Sequence, residues 1–370
     1  MKIAKLIPLA FMLLPLYATG YAQTVGINPN PKVTPLNADF TVNVQLQTAT
    51  QIRGYGISLQ YDPSHVTYVS ASQGSLFNGQ PVGWWIVNTD TLNTVHVECL
   101  IFGAGLYVTG PGNLLNLTFH AVAGDYTEIV ISSVKLYDVT GHLYPTVAKV
   151  NGDVIIGSQP AYLKSKCWLQ GPYYNGSMLT GQHDFIPLTS PYAADPVTVG
   201  AIPANVVDWA LMELRSTYNG QPVLRKSLWL CSDGYLKMPG KPYVILMNTA
   251  PGPYFVVIRH RNHLAVMSAT AVQFAASGSP PLLDLTNIAN VYGNGGVVQV
   301  AEGVVALIAG DADQNGSVLP SDRNSWWRIQ VGLSGYLASD FDLDGNVMPS
   351  DMNGYWRLNT GLSSWVPISQ

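Results

Sequence analysis

Charge is scarce in this chain: 11% of its 370 residues are Asp, Glu, Lys or Arg, and the formal net charge is −4. That balance argues against nucleic acid or an anionic membrane surface as a partner, since both recruit basic patches. Cysteine is scarcer still, with Cys99, Cys167 and Cys231 the only three, too few for a disulfide framework. Cys167 and Cys231 could pair within one domain, but buried free thiols suit the composition at least as well. Glutamate is limited to Glu98, Glu128, Glu213 and Glu302, which leaves few candidates for acid–base work. Beyond the first 22 residues no apolar run reaches the roughly 18–20 needed to span a bilayer. Those residues carry Lys2 and Lys5, an apolar run from Leu6 to Leu16 and a small-residue Gly20-Tyr21-Ala22 site, the pattern of a cleaved secretory signal over 1–22. A secreted, extracellular chain is therefore expected, retained at the cell surface or released.

What is abundant is turn formers and aromatics: 35 Gly, 25 Pro and 10% Phe, Trp and Tyr. This composition predicts a mainly β protein of two or three domains. From 23 to 157 short alternating runs are separated by turn signals. Phe40–Leu46, Ile57–Tyr61 and Val66–Val69 alternate with period two, and Val95–Phe102, Leu114–His120, Thr127–Ile131 and Val154–Ile156 follow. Eight or nine strands without a convincing helix predict a β-sandwich or jelly roll. Residues 161–307 also read as strands and predict a second sandwich-like module. Its candidates are Val206–Leu214, Ser227–Cys231, Tyr243–Met247, Tyr254–Arg259, Ala265–Phe274 and Val297–Ala301.

The most specific signal lies near the C-terminus, where two twelve-residue acidic loops stand twenty-nine residues apart. The first presents Asp311, Asp313, Asn315, Ser317 and Asp322, with Gly316 at position 6. The second presents Asp340, Asp342, Asp344, Asn346 and Asp351, with Gly345 at position 6. Calcium takes six to eight oxygens, and such loops supply them from positions 1, 3, 5, a carbonyl at 7 and a carboxylate at 12. Two loops in register predict two Ca2+ ions. The repeat continues as RNSWWRIQVG and MNGYWRLNTG, so each loop leads into one short amphipathic helix closed by Gly332 or Gly361. The segment before the first loop, Val304–Ile308, reads as a strand rather than the entering helix of an EF-hand.

These two loop–helix units resemble a dockerin, the calcium-dependent plug of cellulosome-type assemblies, over 308–363 as a small α module. Phrases in the N-terminal region resemble a cohesin, the receptor for dockerins: YGISLQYDPSHVTYVSASQGSLF (55–77), GPGNLLNLTFHAVAG (110–124) and VNGDVIIG (150–157). The run VDWALMELRS…YFVVIRHRNHLAVMSA resembles a segment of large secreted proteins of Bacteroidetes-like bacteria that also carry such calcium repeats. The cohesin resemblance implies dockerin docking on a flat sheet face. The dockerin resemblance implies partner contacts at loop positions 10 and 11 and on the following helix. Here these are Pro320, Ser321, Arg323 and Trp326 in one repeat and Pro349, Ser350, Met352 and Tyr355 in the other. Proline at position 10 departs from the family's usual small hydroxyl or aliphatic residue. Trp327 and Trp356 are expected to form a small core between the repeats. The near-symmetry leaves room for two docking orientations related by a half turn.

The resemblances imply a non-catalytic assembly protein, partnered by cohesin- or dockerin-bearing secreted proteins, including other copies of this chain. A second reading is a carbohydrate-binding surface protein that uses the chain's aromatics on polysaccharide. A third is a polysaccharide-degrading glycosidase with its site in 161–307. Glycoside hydrolysis needs two carboxylates across a cleft. Asp208 and Glu213 stand five apart on a strand-like segment, so they are expected on opposite sides. Arg259-His260-Arg261-Asn262-His263 is the remaining candidate, either as an anion or metal site or as a polar turn between two buried strands. Alternation would send His260 and the two arginines to opposite faces.

Overall fold

The computed structural model describes residues 23–157, 160–247, 249–277 and 279–367. The secretory signal read in residues 1–22 lies outside them. The chain is mainly β, and among the described residues no helix is long and apolar enough to cross a membrane.

The N-terminal region is a two-sheet sandwich. One sheet runs Val147–Val150, Gln23–Asn28, Asp39–Leu46, Gly112–Ala121, Val66–Gln73. The other runs Lys32–Thr34, Gly152–Ile156, Asp125–Tyr137, Gly54–Gln60, Thr94–Ile101, Val82–Asn88. Alternation sets the layers. On Asp39–Leu46, Phe40, Val42, Val44 and Leu46 turn inward, and on Gly54–Gln60, Tyr55, Ile57 and Leu59 meet them across the core. Period-two patterning places every second side chain on the buried face, so hydrophobic burial selects this register.

Residues 161–307 depart from the expected sandwich. Their main sheet runs Val244–Leu246, Ala161–Lys166, Tyr235–Lys237, Pro222–Cys231, Val206–Arg215, Pro253–Arg259, Val266–Met267. Val272–Gln273 then pairs with the Pro253–Arg259 strand, and Ala275 exchanges backbone hydrogen bonds of 3.0 and 3.1 Å with Tyr162. One sheet thus closes on itself into a ring. A sandwich was expected because alternation reports that a face is buried, not whether the covering layer belongs to a second sheet. The expected Ala265–Phe274 strand is broken into two short ones. Val206–Arg215 is buried along its whole length. Val207, Ala210, Met212 and Leu214 face the ring interior, while Val206, Trp209 and Leu211 pack under Ile186, Tyr192 and Ile202 outside it. Cys99, Cys167 and Cys231 are buried free thiols.

Apolar packing and an ion pair join these parts. Ile155 of the sandwich packs with Tyr162, Tyr243 and Ile245 of the ring, and Lys241 pairs with Asp125 at 2.5 Å. On the far side, the ring carries the two acidic repeats.

Candidate functional site

The acidic loops fold by the same hydrogen-bond pattern. In each, the position-6 glycine N–H donates to the position-1 carboxylate: Gly316 to Asp311 and Gly345 to Asp340, both at 3.0 Å. Gly316 and Gly345 sit at φ 87° and 89°, where a side chain would be strained. Position 12 reaches back in both, with Leu319 N–H donating to Asp322 and Met348 N–H to Asp351, each at 2.7 Å. Position-5 side chains accept from position 7, Ser317 N–H to Asn315 at 2.9 Å and Asn346 N–H to Asp344 at 2.8 Å.

Carboxylate oxygens of Asp311, Asp313 and Asp322 converge to within 4.8 Å of one another, as do those of Asp340, Asp342 and Asp351. Asp322, Asp340 and Asp351 are fully buried, and Oδ1 of Asp311 is buried without a hydrogen-bond partner. Burial, reinforced by the neighbouring carboxylates, pushes Asp340 up to about 8, Asp311 to about 7 and Asp342 to about 6. Such oxygens are costly to bury together as anions unless a cation neutralises them. All-oxygen donors at this spacing suit a hard divalent cation.

The helices after the loops are short and wound wide, π-helical over Asp322–Trp327 and Asp351–Trp356 and α-helical only over Arg328–Gln330 and Arg357–Asn359. The two repeats are tied about a pseudo-twofold axis. Val318 N–H donates to Leu362 O and Val347 N–H to Leu333 O, each at 2.9 Å. The Trp327 indole donates across to Met348 O at 3.1 Å and the Trp356 indole to Leu319 O at 2.9 Å.

The residues singled out for a partner do not share one environment. Pro320, Pro349, Ser350 and Trp326 are exposed, while Ser321 and Met352 are half-buried. The Arg323 guanidinium lies over the Trp356 ring at 5.8 Å. Tyr355 requires a correction: its hydroxyl donates to Gly171 O at 3.1 Å, and its ring packs with Ala309, Ala312 and Phe341. It faces the ring rather than an outside partner. Sequence symmetry alone equates it with the exposed Trp326, and the docking of the second repeat onto the ring breaks that equivalence.

That docking uses residues read as a candidate turn. Asp208 is fully buried, and Arg261 reaches it at 2.9 Å, His260 at 3.1 Å, Gln182 at 2.7 Å and Tyr336 of the second repeat at 2.6 Å. Burial works to raise the Asp208 pKa. The Arg261 charge and the hydrogen bonds from His260 and Tyr336 overcome it and hold the carboxyl below its usual range. Burial also pushes His260 and His263 below the ordinary imidazole range. Arg261 further donates to Leu337 O and stacks on Tyr336 at 4.2 Å. Alternation misplaced this cluster: Arg259 goes to Glu213 at 3.1 Å, whereas His260 and Arg261 converge on Asp208 because the strand ends at Arg259. Glu213 is held by Arg215, Arg225 and Arg259. Asp208 and Glu213 therefore lie in separate ion-pair networks and do not converge on one cleft.

The second surface of interest is the outer face of the six-stranded sheet. Trp85 and Val87 pack toward the sandwich core, while Trp84 and Ile86 are 46% and 40% exposed. Across the sheet they form rows: Trp84, Leu100, Gly54, Tyr137; then Ile86, Glu98, Gly56, Lys135; then His96 with Ser58 and Ser133. Gly54 and Gly56 add no side chain beside Leu100 and Glu98, which leaves a recess along an apolar edge of Trp84, Leu100 and Tyr137. The opposite sheet instead presents polar pairs such as Thr41–Thr118 and Asn116–Ser72. The adjacent pair Trp84-Trp85 is the sequence signal for this face, since one of two neighbouring strand residues points outward and an exposed Trp suits an interface anchor. The strand pairing had to be known before Trp84 could be joined to Leu100.

A family model for the cohesin domain matches residues 30–156. No curated protein matches the chain. A non-cellulosomal cohesin from the archaeon Archaeoglobus fulgidus is 19% identical, covering 37% of this chain and 93% of its own, with a TM-score of 0.32. The sixth cohesin of scaffoldin B from Acetivibrio cellulolyticus, solved in complex with a dockerin, is 22% identical over 37% of this chain and 99% of its own, with a TM-score of 0.32. A type II cohesin from the cellulosome of the same organism is 12% identical over 37% and 96%, with a TM-score of 0.33. The N-terminal sandwich, matched over residues 30–156, is a cohesin domain, a protein–protein interaction module.

Proposed function

We propose that this chain is a secreted, non-catalytic assembly protein. Its cohesin domain is a socket for dockerin-bearing proteins, and its two acidic repeats, each loaded with Ca2+, form a dockerin-like plug. The observation that carries the reading is the outer face of the six-stranded sheet, with exposed Trp84 and Ile86 and half-buried Leu100 at one edge and Glu98 and His96 beside them. Trp is among the residues most enriched in interface hot spots, so an exposed Trp on this face is a fitting anchor for a protein partner. The acidic loops support the calcium part through their convergent carboxylates and the unpartnered buried Oδ1 of Asp311. Two of the cohesins compared above fit the same direction, since one was solved with a dockerin and one comes from a cellulosome.

The test is an immobilised full mature chain probed with a panel of dockerin-bearing proteins and with itself, in calcium and in chelator. Binding of a dockerin that Trp84→Ala weakens about 30-fold or more, the effect of a hot-spot residue, supports the socket. Loss of binding by the chain's own plug in chelator supports the calcium requirement. No binding by any partner on either end refutes the assembly reading.

A second reading is favoured by one feature of the same face. A cavity of about 540 Å³ is lined by Trp84, Phe102, Tyr137, Arg53 and Glu98, a mixture of aromatic walls and hydrogen-bonding groups that suits a sugar. Polysaccharide retention on an affinity gel that survives chelation and is lost in Trp84→Ala would turn the function toward carbohydrate.

A further inference from the structure

Among the ring residues that touch the acidic loops, Asn262 reaches the start of both, and it is fully buried. Its carbonyl oxygen accepts from Gly310 N–H at 3.0 Å and from Asp311 N–H at 3.2 Å, so it holds the first residue of the first loop. Its side-chain amide donates to the Asp340 carbonyl at 2.6 Å, so it also holds the first residue of the second. Asp311 and Asp340 are equivalent residues of the two repeats, and the ring thus holds one starting point through the Asn262 main chain and the other through its side chain. The placement is rigid: His263 fixes the Asn262 Oδ1 at 2.8 Å, Leu264 N–H donates to Ile308 O at 2.8 Å, and His263 bridges Ala309. On the other side, Asn359 bonds Ala309 O and Gln170 Oε1, each at 2.7 Å.

We infer that Asn262 is a latch that couples cation binding in both loops to the fold of the ring, so that the ring and the repeats become one calcium-locked body. The inference rests on the proposal that the loops bind calcium. The physical reason is shared geometry. A cation in either loop fixes the position-1 carboxylate, which fixes that residue's backbone, which is hydrogen-bonded to Asn262. Order gained at either loop is therefore transmitted to the turn 260–263 and to the strand Pro253–Arg259 that leads into it. Without the cation no ion ties the position-1 carboxyl to the rest of its loop ligands, and the ring gains no added order through these hydrogen bonds.

Hydrogen exchange of the full mature chain, with calcium added as the probe to chelated protein, tests this alongside calorimetric counting of bound ions. Wild type is expected to bind two ions. Calcium should slow exchange in peptides covering 206–215 and 253–264, by about tenfold, within the ordinary range of coupling between sites. Asn262→Ala keeps the main-chain contact to the first loop and should still bind calcium, about tenfold more weakly at the second loop, with the share of the ring's calcium-dependent protection that the second loop supplies lost. Should Asn262→Ala not fold, Asp342→Asn, which disables the second loop from its half-exposed side, is expected to cut the same ring protection. Two bound ions with no change in ring exchange in wild type would overturn the latch and leave the calcium reading standing. Absence of any heat of calcium binding would overturn both.

Discussion

Removing the Arg261 guanidinium should cost more than any other single truncation in the ring–repeat interface. Asp208 is fully buried and Arg261 nearly so, 2.9 Å apart, and their side chains are 0% and 6% exposed. Truncating one partner of a buried pair leaves the other charge uncompensated and costs about 3–5 kcal/mol. The remaining donors to Asp208 are neutral: Gln182, Tyr336 and the Trp209 N–H, with His260 beside them. They soften the loss without cancelling the charge, which places Arg261→Ala toward the lower end of that range. For a body of this size each kcal/mol moves Tm by about 2–4 °C, so Arg261→Ala should lower the transition of the ring and repeats by about 6–12 °C. Scanning calorimetry of the full mature chain measures it, with the sandwich transition as an internal control. Adding Asp208→Asn to Arg261→Ala should cost less than the sum of the two single changes, because it removes the stranded charge. A drop below about 2 °C for Arg261→Ala, or strict additivity in the pair, would refute the claim that this ion pair holds the interface.

Three further outcomes follow from the same geometry. Gly171→Ala should destabilise the seating of the second repeat by about 1–3 kcal/mol, since an added methyl would run into the Phe341 carbonyl oxygen; unchanged denaturant unfolding would contradict it. Tyr336→Phe removes a 2.6 Å hydrogen bond to a buried carboxylate and should cost about 1.5–3 kcal/mol in the same unfolding measurement. For pH, the unfolded carboxyls titrate near about 3.9, whereas metal-free Asp340 titrates at about 8, Asp311 at about 7 and Asp342 at about 6. Between these limits the metal-free folded state binds more protons than the unfolded state, so these groups make it less stable as pH rises from about 4 to 8. Calcium must displace those protons, so its affinity should weaken as pH falls from 8 to 6. Calorimetry in two buffers of different ionisation heat should record proton release near neutrality, and identical heats in both would sink the assignment.

Much of the sandwich was legible because burial of one sheet face writes itself into alternation. Phe40, Val42, Val44 and Leu46 could be assigned inward from the sequence alone. The acidic loops were legible for a different reason. A twelve-residue loop places its own carboxylates, so positions 1, 3, 5 and 12 needed no knowledge of distant residues, and the convergence of Asp311, Asp313 and Asp322 is a local consequence. The ring was not legible in this way. Its closure depends on Ala275 meeting Tyr162, more than a hundred residues away, and hairpin-scale signals carry nothing about that pairing. Tyr355 was misplaced for a related reason, because the internal repeat made it look like Trp326 although only one of the two repeats turns that side to the ring.

The sequence by itself determined the β character, the two metal-type loops and the cohesin phrases, since each depends on residue spacing within about two dozen positions. Only the tertiary structure decided that Asp208, His260, Arg261 and Tyr336 form one buried network, that Trp84 shares a row with Leu100, and that Asn262 stands between Asp311 and Asp340. Those relations join side chains separated by 16 to 128 positions in the chain. They exist only once sheet register and module docking have brought the strands together, because no local propensity encodes which distant surface a buried charge will meet.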